Sequence, residues 1–411
     1  MSEVQRTRLA LVVLGLALVI YAAFSQFKLP VVLPVLLDSY SYGRVLAGGF
    51  MSIFAVFGIL LSVPIGRAVA RQGALRLVML ALPVMALGTV VCLLAPESGG
   101  MMLLGRGLEG AAFAPLAVAG PRLATANAAP QHRALVIGLV SAWVPCGQLL
   151  ATLLGPLALK TSGWQGLWWV CLLLAVVLIG WTLAQMRFGP RGTTRRAEAA
   201  AAPPPAWIRA QWIALLLTGS VFMLWTGQYL AYMTWLPQYL VEVQGLAVEN
   251  ALLGYLIPVV LVGVFNITTG ILLQRGLKPQ KLLLGAVLVQ SIIWWLLPVT
   301  GSGLGGIVSL VIYGITSGIA PTCLFALSAH LVATPGETAR AFGVTMTGRN
   351  LGVLGGPLLL ALAVELSGGW LAGSLLFAGL TSLAVGLCGL LLVMVPRVEA
   401  TALRPAAGTA D

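Results

Sequence analysis

Residues 187–209 read RFGPRGTTRRAEAAAAPPPAWIR. The stretch carries Arg195-Arg196, an alanine run and Pro203-Pro204-Pro205. Basic residues, prolines and small residues in one block are linker composition. It is the only long polar stretch in a chain of 411 residues. On either side of it the sequence falls into six apolar runs.

The composition says what those runs are. The chain is 59% hydrophobic and 8% charged, where a soluble domain has about 25% charged residues. A water-soluble enzyme, a disordered tail and a coiled coil are excluded. A bilayer-spanning helix needs about 20 apolar residues. The first six candidates run 9–37, 45–69, 74–96, 100–126, 132–159 and 165–186. The second six run 210–240, 250–274, 279–299, 303–331, 338–366 and 370–396. The first follows Arg6 and Arg8 like a signal peptide but continues to Leu37, too long for one. The fold class expected is an all-α polytopic membrane protein. Twelve transmembrane helices form two pseudo-symmetric six-helix bundles, 1–190 and 210–411, joined by a cytoplasmic linker at 191–209.

The net charge is +12, but its distribution points to topology and not to nucleic acid. With the N-terminus inside, eighteen of the 23 Lys and Arg residues fall on the cytoplasmic side. Arg44 and Lys160 fall outside, and Lys28, Arg106 and Arg349 fall within spans. This bias predicts cytoplasmic N- and C-termini. Short loops and the lack of an ectodomain suggest a bacterial inner membrane. The five cysteines, Cys92, Cys146, Cys171, Cys323 and Cys388, lie in apolar runs without a C-x-x-C pair and read as buried small hydrophobes. His132 and His330 are far apart, so no metal site and no cofactor is expected.

The two halves echo each other. LPVLL around Pro34 matches LPQYL around Pro237, 203 residues later. Gly66 matches Gly270 at a separation of 204, and LGPL at Pro156 matches GGPL at Pro357 at 201. Matches at nearly one offset indicate an internal duplication. Two six-helix repeats with a binding site between them is a transporter architecture.

The loop after span two, GRAVARQGALR from Gly66 to Arg76, resembles the G-x-x-x-D-R-x-G-R-K loop of the major facilitator superfamily. Ala70 stands at the family's Asp position; Gly66, Arg71 and Gly73 match. RGLEGAAFA, Arg106 to Ala114, resembles the family's R-x-x-Q-G-x-G motif, with Glu109 for Gln. GQLLATLLGP, Gly147 to Pro156, loosely resembles the G-x-x-x-G-P motif of antiporters. The resemblance covers the whole chain and implies alternating access, with a cytoplasmic gating loop at Gly66, Arg71 and Gly73.

Charges within spans are costly and face a bundle interior or a wet cavity. Arg106 and Glu109 are three apart, on one helix face, and can pair. They form either a self-neutralising structural pair or a proton-coupling switch. Arg349, in TGRNLGVLGGP, sits roughly 14 Å from the inner end of its span at 1.5 Å per residue. No acid lies within four residues, and Asn350 adjoins it. A guanidinium there suits a carboxylate or phosphate. Lys28 either snorkels outward or adds positive charge to the cavity. Span seven carries Trp225, Gln228, Tyr229, Tyr232 and Trp235 on one face, read as a packing seam or as a wall that stacks on substrate. Trp143, Gln148 and Asn266 are lesser candidates, and Trp294-Trp295 look like interfacial belt residues.

The leading expectation is a monomeric secondary transporter of a small organic anion, coupled to protons. Its partners are the anion, protons and lipid. A proton antiporter exporting drugs or amphipathic metabolites is the alternative. A non-transporting receptor or assembly factor on the same fold is a third reading, from another class. No H-E-x-x-H, G-x-S-x-G or phosphate-binding loop is present, so neither an intramembrane enzyme nor an ATP-driven pump is expected.

Overall fold

A computed structural model describes residues 7–188, 207–332 and 335–402. The expected linker therefore lies outside the described residues up to residue 206. Among the described residues every long element is a helix, as a bilayer demands of a backbone that finds no water to bond.

Seven helices precede the linker: α1 (Leu9–Tyr40), α2 (Arg44–Gln72), α3 (Ala74–Leu94), α4 (Gly99–Ala126), α5 (Pro130–Ser141), α6 (Trp143–Thr161) and α7 (Gln165–Phe188). Six follow it: α8 (Arg209–Glu242), α9 (Val248–Gln274), α10 (Pro279–Leu296), α11 (Leu304–His330), α12 (Pro335–Ser367) and α13 (Trp370–Ala402). A 3-10 turn, Leu297–Val299, extends α10. By length and apolar composition ten of these can cross a membrane, or eleven if α5 and α6 form one broken span. α2 occupies the place of the expected second span, and its segment Arg44–Leu60 is apolar.

The fifth expected span, 132–159, is not one helix. It breaks at Ala142 into α5 and α6, with a bend of 50°. Pro145 has no amide hydrogen for the carbonyl of Ser141 four residues back, and its ring crowds that carbonyl.

The duplication is visible in the backbone. Among the described residues six have positive φ, and they form three pairs across the halves. Ser41 (φ 50°) pairs with Gly245 (φ 65°), Gly73 (86°) with Gly276 (91°), and Gly163 (67°) with Gly368 (72°). The separations are 204, 203 and 205 residues, the offset of the sequence matches. Each marks the same connection in its repeat, where the chain leaves a helix through a left-handed residue.

The chain forms two compact units. The first holds Met1–Ala199 together with Met233–Val260, so the end of α8 and the start of α9 belong to it. There Arg44 Nη1 donates to both Glu242 carboxylate oxygens at 3.0 Å, and Gln148 Nε2 donates to Tyr255 Oη at 2.8 Å. The second holds Ala200–Tyr232 and Leu261–Asp411. In it α8 and α12 meet backbone to backbone. A Cβ on Gly348 would strike the Gly219 carbonyl, and one on Gly352 would lie 2.8 Å from the Gly227 amide. Small residues allow this approach between apolar helices.

Candidate functional site

In the first unit the buried charges converge. Lys28 on α1, with Arg106 and Glu109 on α4, are wholly shielded from solvent. Lys28 Nζ lies 2.6 Å from Glu109 Oε1, and Arg106 Nη1 lies 2.6 Å from Glu109 Oε2. Thr89 on α3 donates to Glu109 Oε1 at 2.7 Å. Two cations and one anion leave the cluster at +1.

Arg106 is held by more than its acid. Nε donates to the Phe50 carbonyl at 3.2 Å, Nη1 to that of Ser25 at 2.8 Å, and Nη2 to that of Gln26 at 3.0 Å. The Gln26 carbonyl is free because Pro30, four residues on, has no amide hydrogen. The face of Phe54 lies 4.4 Å from the guanidinium, and that of Trp168 lies 4.4 Å from Lys28 Nζ. Lys28 therefore does not snorkel; its ammonium stays inside the first unit. The pair expected from the i, i+3 spacing is present, with Lys28 as a third member.

The second unit has a counterpart on the matching helices with neutral chemistry. Gln228 Oε1 on α8 accepts from Trp294 Nε1 on α10 at 2.7 Å and from Tyr313 Oη on α11 at 2.8 Å. Gln228 Nε2 donates to Gln290 Oε1 at 3.0 Å, and Gln290 Nε2 donates to Ser317 Oγ at 2.9 Å. Tyr232 stacks on Tyr313, ring centroids 3.8 Å apart, and meets Trp294 edge-on at 5.6 Å. Both sets use the first, third and fourth spans of their repeat. Ser25 donates to Met85 in the first, Gln228 to Gln290 in the second, at offsets of 203 and 205.

Trp294 is thus no belt residue. It is 1% exposed and bonded inside the unit, whereas Trp295 beside it is 52% exposed. Cys146 departs from its expectation too, being exposed while the other four cysteines are buried. Thr89, Gln290, Tyr313 and Ser317 are members that spacing alone did not single out. Their signal was a polar side chain in the middle of an apolar run.

The remaining candidates lie apart from these networks. Arg349 on α12 is half-buried, and Arg349 Nη1 donates to Asn350 Oδ1 at 3.1 Å. Among the described residues no carboxylate pairs with it. Trp235 is buried in the segment of α8 that joins the first unit. Trp143 opens α6 after the break and tilts against Phe113 at 5.7 Å. Asn266 lies where α9 meets α11: Thr322 Oγ1 donates to its carbonyl at 3.3 Å. Gly73 ends the loop before α3 with φ 86°. The side chains at Gly66 and Arg71 lie outside the described residues.

Two repeats of apolar helices, each with a buried polar cluster on the same three spans, define a polytopic membrane transporter. The profile of the Major Facilitator Superfamily matches residues 14–357, and the chain belongs to that superfamily. It is a transporter and not an enzyme. Among solved structures it is similar to a mutant form of the nucleoside transporter NupG, with a TM-score of 0.73 and 15% identity over 93% of this chain and 99% of the other. It is also similar to a bacterial homolog of the human lysosomal transporter Spinster in its inward-facing, unoccupied form (0.71, 17%, over 97% and 98%). The occupied form of that homolog matches at 0.70 and 18% identity, over 99% of this chain and 100% of the other. At these identities the likeness is one of fold. A search of curated proteins finds no relative by sequence.

Proposed function

We propose that the chain is a secondary active transporter of a small organic anion, working by alternating access and coupled to protons. Arg349 carries the reading. It is the cation within the spans that no protein carboxylate neutralises among the described residues, whereas Lys28 and Arg106 share Glu109. A half-buried guanidinium without a counter-ion favours an anion from outside, which it grips through two parallel hydrogen bonds. The +1 charge of the triad adds to the attraction. Proton coupling is assigned to the triad, where a proton gained by Glu109 raises the buried charge and loosens two cations. The termini face the cytoplasm, the membrane is a bacterial inner membrane, and each monomer is a working unit.

The test is thermal unfolding of the purified chain with carboxylates, inorganic anions, amphipathic cations and neutral solutes, beside Arg349→Gln. A ligand at a hundredfold excess over Kd stabilises by about 2.7 kcal/mol. Shifts by organic anions in the wild type and not in the variant uphold the reading. Shifts by cations or neutral solutes alone, with the variant indifferent, replace it with the exporter. In proteoliposomes, adding the anion to wild-type vesicles should move the external pH. Uptake that ignores an imposed pH gradient refutes the coupling.

A further inference from the structure

Arg349 and Asn350 hold each other in a way that fixes what the pair can offer a ligand. Arg349 Nη1 lies 3.1 Å from Asn350 Oδ1. A guanidinium carries N–H donors and no acceptor, so the amide atom that faces it must be the oxygen. The amide nitrogen of Asn350 is therefore turned away from Arg349, with both of its hydrogens to give. Among the described residues neither side chain makes another hydrogen bond. Both residues are partly exposed, so a ligand can reach them.

The helix sets which way the pair looks. Gly348 and Gly352 lie against the α8 backbone at Gly219, Met223 and Gly227. Asn350 is two residues past the first glycine and two before the second, so it stands about 160° round the helix from that contact. Thr347, three residues before Asn350 and on the same side, is exposed. A threonine, an amide and a guanidinium on one open side do not suit lipid, and a charge at this depth faces a bundle interior or a wet cavity.

The pair gives hydrogen bonds and takes none. A carboxylate on the guanidinium satisfies its fork. The Asn350 nitrogen shares a carbon with the oxygen that Arg349 holds, so it sits beside the guanidinium, within reach of the group next to that carboxylate. There it requires an acceptor. A second carboxylate would call for a second cation, and Arg349 is the only Lys or Arg between Arg340 and Arg397. An ammonium would set donor against donor beside a like charge. A neutral carbonyl oxygen fits.

We propose that Asn350 sets the specificity of the anion site, and that the substrate is a 2-oxo acid, a carboxylate with a carbonyl on the adjacent carbon. Arg349 takes the carboxylate, Asn350 Nδ2 donates to the 2-oxo oxygen, and an amino acid is turned away. This rests on the anion reading above.

The test measures binding to the purified full chain of propanoate, pyruvate and alanine, and of hexanoate, 2-oxohexanoate and 2-aminohexanoate. Within each set only the group next to the carboxylate changes. The variants are Asn350→Leu, which removes the donor, Asn350→Asp, which supplies Arg349 with a carboxylate of its own, and Arg349→Gln. Ligand-free unfolding temperatures establish that each variant folds. In the wild type the 2-oxo acid should bind about tenfold more tightly than the plain acid, the gain of one hydrogen bond, and the amino acid should not bind. Asn350→Leu should bring the 2-oxo acid down to the plain acid and leave the plain acid unchanged. Asn350→Asp should weaken both at least tenfold although Arg349 is still there. Equal binding of plain and 2-oxo acids, unmoved by Asn350→Leu but lost in Arg349→Gln, overturns this proposal and leaves the anion reading standing. No binding of any acid, with Arg349→Gln indifferent, overturns the anion reading itself. If Asn350→Leu fails to fold, the wild type decides alone: a 2-oxo acid bound no better than the plain acid, or an amino acid bound as well, overturns the proposal.

Discussion

Arg106 Nη2 donates to the carbonyl of Gln26 at 3.0 Å, the carbonyl that Pro30 cannot serve. A proline in α1 thereby opens a backbone acceptor at full burial, and an arginine on α4 fills it. The fork geometry of the guanidinium matters here. It reaches the carbonyls of Ser25, Gln26 and Phe50 and the Glu109 carboxylate at once. Lysine has one nitrogen and cannot span four acceptors. Arg106→Lys should therefore destabilise the fold despite keeping the charge, at about 1–3 kcal/mol for each acceptor left dry. Thermal unfolding in detergent, followed by helical circular dichroism, checks this. An unfolding temperature equal to the wild type would show that the carbonyl contacts contribute nothing.

The triad predicts an order among its own variants. Removing Glu109 leaves two buried cations facing each other, and breaking a buried pair costs about 3–5 kcal/mol. Removing Lys28 leaves Arg106 and Glu109 as a neutral pair that keeps its hydrogen bonds. Glu109→Gln should lower the unfolding temperature well below that of Lys28→Met. The reverse order would mean that Lys28 is the indispensable member.

Local features of the fold were legible because bilayer physics writes them locally. A span is a run of apolar residues, and the repeats left their offset in Pro34 and Pro237 and in Gly66 and Gly270. The break in span five was half-legible: Pro145 announces a kink, but separation into two helices depends on the surroundings. The sites were legible only where partners share a helix. Arg106 and Glu109 are three residues apart and pair as their spacing implies. Lys28 and Glu109 are 81 apart, and which helix faces which is a tertiary fact. Trp294 shows the same limit. Beside the exposed Trp295 it reads as one of a belt pair, and only helix rotation sends one ring inward and the other to lipid.

Gln228 holds the neutral network as Glu109 holds the charged one. Gln228→Leu would strip Trp294 Nε1, Tyr313 Oη and Gln290 Oε1 of their partner. Each buried group left alone costs about 1–3 kcal/mol. Tyr313→Phe should be much milder, because Trp294 still donates to Gln228 Oε1. Comparing the two unfolding temperatures tests whether Gln228 is the hub. Equal losses would place the stability in the stacking of Tyr313 on Tyr232.

Tyr42, in the loop between α1 and α2, donates its hydroxyl to the carbonyl of Pro96. Burial pushes the Tyr42 phenol up to about 12, and Tyr40 and Glu97 push the same way. The folded chain therefore keeps this proton in a range where an unfolded tyrosine, titrating at about 10, has lost it. Below pH 10 both states are protonated, and the contribution of Tyr42 is fully present. Between pH 10 and about 12 the unfolded state alone gives up the proton, so stability falls as pH rises. Tyr42→Phe lacks the proton in both states, and its unfolding temperature should decline less steeply from pH 9 to pH 11. The same comparison below pH 9 should show the variant somewhat less stable, through the missing bond to Pro96. Parallel curves for the two proteins above pH 10 would mean that the Tyr42 hydroxyl titrates as it does in water.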